Sequence, residues 1–252
     1  MWRALPQIGL VVNLGTASFA VIDTETTDKF ARKTDKPEPW NSLVYDLGYI
    51  ICNSKGEEIV RRSFVIAETF NSPHLMNSAY YAEKLPQYRE GIRMDDSGEW
   101  VMVPAATAYF TMREDFKKYN VKTVWAYNCN FDIAALNSTV RTYSNGFVSF
   151  FMPYGVRVRD IWDYSDCITG TKSYCKWAAS HGYFTATGNP QTSAEKVYAY
   201  LTNKSDYTER HTALSDCDIE LAILRAAKRK HTKKSKTRGR GWVAASKVHK
   251  SM

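Results

Sequence analysis

The feature that most restricts the fold is a run of three β-forming segments followed by strands and helices in alternation. Residues 18–24 alternate and are rich in β-formers, and residues 43–53 form a second such segment. The Asn-Ser-Lys-Gly cluster at 53–56 is a turn, after which residues 58–67 return as the third strand. Polar, proline-bearing residues 28–41 read as an exposed loop between the first two. Further along, residues 72–93 are helical in pieces and broken at Pro86, residues 95–98 form a turn, and residues 103–119 carry a helical period. Residues 123–127 are a short buried strand and 131–140 a helix; 156–161 give a fifth strand. Residues 173–181, 193–201 and 212–230 are helices, the second capped by Ser193. An opening meander followed by alternating units predicts an α/β fold, a mixed five-stranded sheet flanked by helices.

Charge divides the chain. The formal net charge is +8, yet from Arg225 onward there are eleven Lys/Arg and no Asp/Glu. The 224 residues before that point carry 23 basic and 26 acidic side chains, a formal −3. The body is thus mildly acidic and the basicity belongs to a tail, which divides the chain into a domain at 1–230 and a basic C-terminal tail at 231–252. A basic tail suits a polyanion, because each neutralised phosphate releases condensed counterions; a solvated tail that only aids solubility is the plainer reading. Trp242 and the Arg-Gly run at 238–241 favour nucleic acid, since Trp stacks and Arg grips phosphate. Five cysteines with no CxxC pair read as reduced thiols of a cytoplasmic protein, the host cytoplasm if the source is a phage. The apolar stretch near the N-terminus is interrupted by Pro6, Gln7, Asn13 and Gly15 and is not taken as a signal peptide. No run approaches the roughly 20 apolar residues of a membrane span.

Three segments carry candidate chemistry. In Val21-Ile-Asp23-Thr-Glu25, the two acids stand at i and i+2 of a strand and project from one face. Side by side they repel unless a cation lies between them, and hard Mg²⁺ or Mn²⁺ prefers oxygen ligands. Alone this is weak, since Asp-x-Glu arises about once by chance in a chain of this size. In Asn128-Cys-Asn-Phe131-Asp132 a buried strand ends and a helix starts with an acid in its first turn, where Asp132 could equally complement the helix dipole. In His211-Thr-Ala-Leu-Ser-Asp216-Cys-Asp218, a histidine able to take a proton from water precedes a helix with a carboxylate about a turn inside. A phosphate-cradling Gly-rich loop, HExxH and GxSxG are all missing from the sequence. Tyr80-Tyr81 could stack bases but read first as core and rim.

Taken in order, Asp-x-Glu in the first strand, Asn-x-x-Phe-Asp at a strand-to-helix junction and His-x-Ala-Leu-x-Asp at the final helix resemble the DEDDh exonucleases. That is the DnaQ-like branch of the ribonuclease-H-like superfamily, and the likeness spans about residues 18–228. It implies a 3′→5′ exonuclease working with two divalent cations, Mg²⁺ or Mn²⁺, about 4 Å apart. Under it Asp23, Glu25 and Asp216 bind the ion that activates water. Asp23 also reaches a second ion, Asp132 holds that ion through water, and His211 is the general base. The backbone around Thr26 and Thr27 meets the terminal 3′-OH, and Asn128 and Phe131 support the second motif. The expected partner is a nucleic acid with a free 3′ end, DNA (single-stranded) favoured over RNA, with nucleoside 5′-monophosphates as product. An RNA-directed relative and a non-cleaving binding module on the same fold are the alternatives. Two departures bear on substrate preference: Asp28 stands where many relatives have glycine, and Cys217 where many have alanine. Asp218 reads as a solvated helix acid.

Overall fold

The computed structural model describes residues 17–33, 36, 38–81, 85–93 and 100–233. The signal-like N-terminal stretch and all but the first three residues of the basic tail lie outside them. Strands β1 (Ser18–Asp28), β2 (Ser42–Cys52), β3 (Glu58–Ile66), β4 (Val101–Val103), β5 (Val121–Ala126) and β6 (Arg157–Asp160) form one sheet in the order β4-β3-β2-β1-β5-β6. β2 runs antiparallel to both its neighbours; the remaining pairings are parallel. The mixed sheet is as predicted, with one strand more than the five expected. The addition is β4, three residues too short to show alternation, which pairs its whole length to the end of β3.

Short helices α1 (Ala67–Phe70) and α2 (Pro73–Met76) follow β3, then α3 (Leu85–Arg93) and α4 (Ala105–Lys118) flank β4. Pro86 starts α3 instead of breaking a helix: it sits in the first turn, where no backbone N–H is required of it. α5 (Cys129–Tyr143) follows β5. After β6 come α6 (Ile161–Tyr164), α7 (Asp166–Thr169), α8 (Lys172–Ser180), α9 (Ala194–Thr202) and α10 (Ala213–Lys233). Among the described residues no helix is long and apolar enough to cross a membrane.

Strand alternation sorts the helices onto two faces. Ala20 and Ile22 of β1, with Leu47 and Tyr49 of β2, pack against Met112 and Phe116 of α4 and Leu136 and Val140 of α5. Phe19, Val21 and Ile50 point the other way, onto Tyr174, Val197, Ile219, Ile223 and Leu224 from α8, α9 and α10. A third cluster, Tyr45, Val65, Met76, Tyr88 and Trp100, closes the sheet beyond α2 and α3. The cysteines are free thiols, four of them buried.

Two features press the start of α10 against β2. Gly48 has no side chain to hold the helix off, and a Cβ there would lie 2.4 Å from Leu214 N. Asp46, two residues earlier on the same face, accepts the Ala213 N–H at 2.9 Å and the Tyr88 hydroxyl. A strand carboxylate thus caps a helix N-terminus, where the dipole favours negative charge.

Candidate active site

The alternation that buries Phe19 and Val21 continues along β1, so Asp23 and Glu25 emerge on the α10 face once the core ends. Thr24 points to the opposite face, where its hydroxyl donates to Asp132 Oδ1 at 2.8 Å in the interior. Asp132 is delivered there by the β5–α5 junction. β5 pairs parallel to β1 up to Trp125 opposite Val21, so both chains leave the sheet at the same edge. Asn128 then turns the backbone at φ 62°, the left-handed region in which Asn is one of the few tolerated residues. The Asp160 carboxylate accepts the N–H groups of Asn128 and Cys129, both at 3.1 Å, and holds the start of α5. Asp132 follows in the first turn.

From the other side, α10 brings Asp216 in its first turn, just after His211. The ligand atoms of Glu25, His211 and Asp216 all lie within 4.8 Å of one another. His211 Nδ1 is 3.9 Å from Asp216 Oδ2 and 3.7 Å from Glu209 Oε2. Its backbone is also left-handed, at φ 52°, a cost that the neighbouring contacts must offset. The imidazole lies flat against Tyr81, ring centroids 3.9 Å apart and planes within 10°.

Crowding of like charge away from water is the dominant electrostatic fact. Burial raises Asp23 well above the usual carboxylate range, and Glu220, Asp132, Asp216 and Glu25 push in the same direction. Glu25 is raised by burial and then by Asp216 and Asp46. Burial lifts Asp216 too, against the hydrogen bond from Ser215, and Asp132, against the one from Thr24. Glu209 reaches about 8 through burial and the charges of Asp216 and Glu195.

Asp23, Glu25, Asp132, Asp216 and His211 therefore share one region at the exit edge of β1 and β5. Thr26 and Thr27 are buried at the end of β1: Thr26 O accepts the Tyr80 N–H at 3.3 Å, and the Thr27 hydroxyl bonds Leu75 O and Ser78 Oγ. The Thr26 carbonyl and the Thr27 side chain thus tie the end of β1 to residues 75–80. Asn128 is exposed at the cap of α5, and Phe131 is half-buried against the α5-side core. Asp28 is buried, and its carboxylate gathers the N–H groups of Phe30 and Arg32 and the Arg32 guanidinium, closing the start of the loop. Asp218 is exposed and pairs with Arg61 at 2.9 Å.

Four neighbours of the site escaped the sequence reading. Glu220 stands four residues after Asp216, a spacing that puts both on one face of α10 and could have revealed it. Glu209 lies two residues before His211. Asp46 faces Glu25 only through the β1–β2 register, and Tyr81 meets His211 only in three dimensions.

No protein-family model matches the chain, and no curated protein matches it in sequence. Solved structures do. Exonuclease I from Methylocaldum szegediense superposes with a TM-score of 0.58 at 16% identity, over 86% of this chain and 41% of that one. Escherichia coli Exonuclease I in complex with a 5cy-dA13 oligonucleotide gives 0.56 at 13% identity, over 86% and 41%. The chain has the ribonuclease-H-like fold of Exonuclease I. A zinc-ion-bound form of the E. coli Exonuclease I–ssDNA complex gives 0.51 at 13% identity, over 86% and 42%. The chain spans about two fifths of the length of these Exonuclease I chains.

Proposed function

We propose that the chain is a divalent-cation-dependent 3′→5′ exonuclease that hydrolyses phosphodiester bonds of DNA, single strands in preference, and releases nucleoside 5′-monophosphates. The observation that carries this reading is convergence: Asp23 and Glu25 from β1, Asp132 from α5, Asp216 from α10 and His211 from the preceding loop meet at one edge of a fold shared with Exonuclease I. The residues fit a divalent cation. Apart from the His211 imidazole the donors are hard carboxylate oxygens, and two buried carboxylate oxygens beside them, Glu220 Oε2 and Asp46 Oδ1, have no hydrogen-bond partner among the described residues. Asp23, Glu25 and Asp216 would hold one ion, Asp23 and Asp132 a second. Bound Mg²⁺ or Mn²⁺ would supply the positive charge that stabilises the attacking and leaving oxygens of an in-line displacement.

The chain's own residues do the rest. His211 takes the proton of the attacking water at its imidazole. Tyr81 fixes the ring plane, while the carboxyl groups of Glu209 and Asp216 face Nδ1 at 3.7 and 3.9 Å. Thr24 orients Asp132. Thr26 and Thr27 anchor the end of β1, whose backbone would receive the 3′-terminal nucleotide, with Asn128 and Phe131 flanking Asp132. DNA is favoured because Exonuclease I, the protein of like fold, has been solved with DNA oligonucleotides.

The test is digestion of 5′-labelled single-stranded DNA, duplex DNA and RNA of one sequence by the full chain with Mn²⁺. A ladder shrinking from the 3′ end is expected, fastest on single-stranded DNA. Asp23→Asn should slow it about 10³-fold, the scale of several kcal/mol of lost charge stabilisation. A folded protein that gives no ladder on any substrate would make the chain a binding module; faster digestion of RNA would assign it to transcripts or short oligoribonucleotides.

A further inference from the structure

We infer that Glu220 is a fifth carboxylate of the metal site and serves the second cation, together with Asp23 and Asp132. The inference rests on the two-cation reading above and extends it to a residue outside the motifs that suggested it.

Placement comes first. Asp216 and Glu220 lie four residues apart on α10, so their side chains leave the same face. That face is pressed onto β1, with Cys217 Sγ 3.8 Å from Val21 O. Glu220 is accordingly 3% exposed. Second, its Oε2 is buried and has no hydrogen-bond partner among the described residues, whereas buried carboxylates are as a rule fully engaged. Third, its surroundings are acidic. Burial raises Glu220 well above the usual carboxylate range, and the charges of Asp132, Asp216 and Glu209 push the same way, against the hydrogen bond from the Tyr127 backbone N–H. In return, Glu220 is the charge that weighs most on Asp23. A fold gains nothing by turning a buried carboxylate with one oxygen unpartnered toward three others, unless something positive joins them.

The same observations assign the ion. Glu25, His211 and Asp216 already gather their ligand atoms within 4.8 Å, and Glu220 is outside that set. Asp132 is the first of the charges acting on Glu220, and Glu220 is the first of those acting on Asp23; these two acids are the pair left for the second cation. An extra oxygen donor there should let that site fill at lower cation concentration.

The experiment is calorimetric titration of Mn²⁺ into the full chain stripped with EDTA, for wild type, Glu220→Gln, Glu220→Leu and Asp216→Asn. Wild type should bind two ions. In E220Q one dissociation constant should rise at least tenfold while the other changes less than threefold, and Asp216→Asn should weaken the other one. Metal-free E220Q should unfold at or above the wild-type midpoint, because a repelling charge is gone, yet gain less from added Mn²⁺. E220Q carries the decision if E220L does not fold. Two ions bound with wild-type affinity by E220Q would overturn the proposal and leave the two-cation reading standing. Equal weakening of both ions with a lowered metal-free midpoint would overturn it in favour of a packing role. Wild type that binds no Mn²⁺ would refute the metal reading itself, and Glu220 with it.

Discussion

Gly48→Ala should damage the site without touching any acid. The Cβ it introduces would lie 2.4 Å from Leu214 N and 2.5 Å from the Ala213 carbonyl carbon, against the 3.4 Å at which ordinary contact begins. Both obstacles are backbone, so no side chain can rotate clear, and α10 must withdraw by about 1 Å, the difference between those distances. Overpacking of this kind costs about 1–3 kcal/mol, and a rigid obstacle argues for the upper end. The same withdrawal would stretch the 2.9 Å hydrogen bond from Ala213 N to Asp46 Oδ2, adding to the loss. It would also carry Asp216 and Glu220 away from Asp23. A misplacement of that size costs about 10²-fold in rate when reacting groups must stay aligned. Urea unfolding in EDTA gives the first quantity and Mn²⁺-dependent digestion of a labelled strand the second. Wild-type stability and rate in Gly48→Ala would refute the claim that close approach of β2 sets the position of α10.

Three further outcomes follow from the buried acids and their partners. Burial raises Asp46 from 3.8 to about 6 in the folded chain, against the hydrogen bonds from Tyr88 and Ala213. A carboxyl raised on folding binds its proton more tightly than in the unfolded chain, so its contribution is present at low pH and is lost as pH climbs from about 4 past 6. The unfolding free energy of wild type minus that of Asp46→Asn, in EDTA, should therefore fall by about 2 kcal/mol between pH 4 and pH 8; a gap independent of pH would contradict the shift. Thr24→Val removes a buried hydrogen bond to a carboxylate, which should cost about 1–3 kcal/mol by urea titration. Because that bond favours ionised Asp132, its loss should also raise the Mn²⁺ concentration for half-maximal cleavage, most visibly below neutral pH.

What could be read from the sequence was whatever one element decides for itself. The period of two in β1 puts Phe19, Val21, Asp23 and Glu25 on one face in any sheet, and the strand-to-helix break at Asn128 places Asp132 in a first turn in any α/β fold. Asp216 and Glu220 are related by helix spacing alone, so Glu220 was within reach and was missed because no motif pointed to it. The remaining features depend on how separate elements meet. β4 exists because the end of β3 offers an edge, and three residues carry no periodic signal of their own. Asp46 looks like a polar interruption in an apolar strand until the register sets it opposite Glu25 and beneath Ala213 N. Tyr81, read as core or rim, owes its place on His211 to a loop whose path no local pattern encodes.

These cross-element contacts bear on why the acids can stay together. Asp23, Glu25, Asp132, Asp216 and Glu220 repel one another in a region largely closed to water, and nothing in that repulsion holds β1, α5 and α10 in register. What holds them is packing on either side. Leu136 and Val140 bind α5 to one face of the sheet, Ile219, Ile223 and Leu224 bind α10 to the other, and Gly48 and Asp46 fix where α10 begins. Stability of the metal-free chain and readiness to receive cations are therefore opposed through the same residues. Neutralising an acid should stabilise the metal-free protein while weakening its hold on cations, whereas loosening the packing should lose both together.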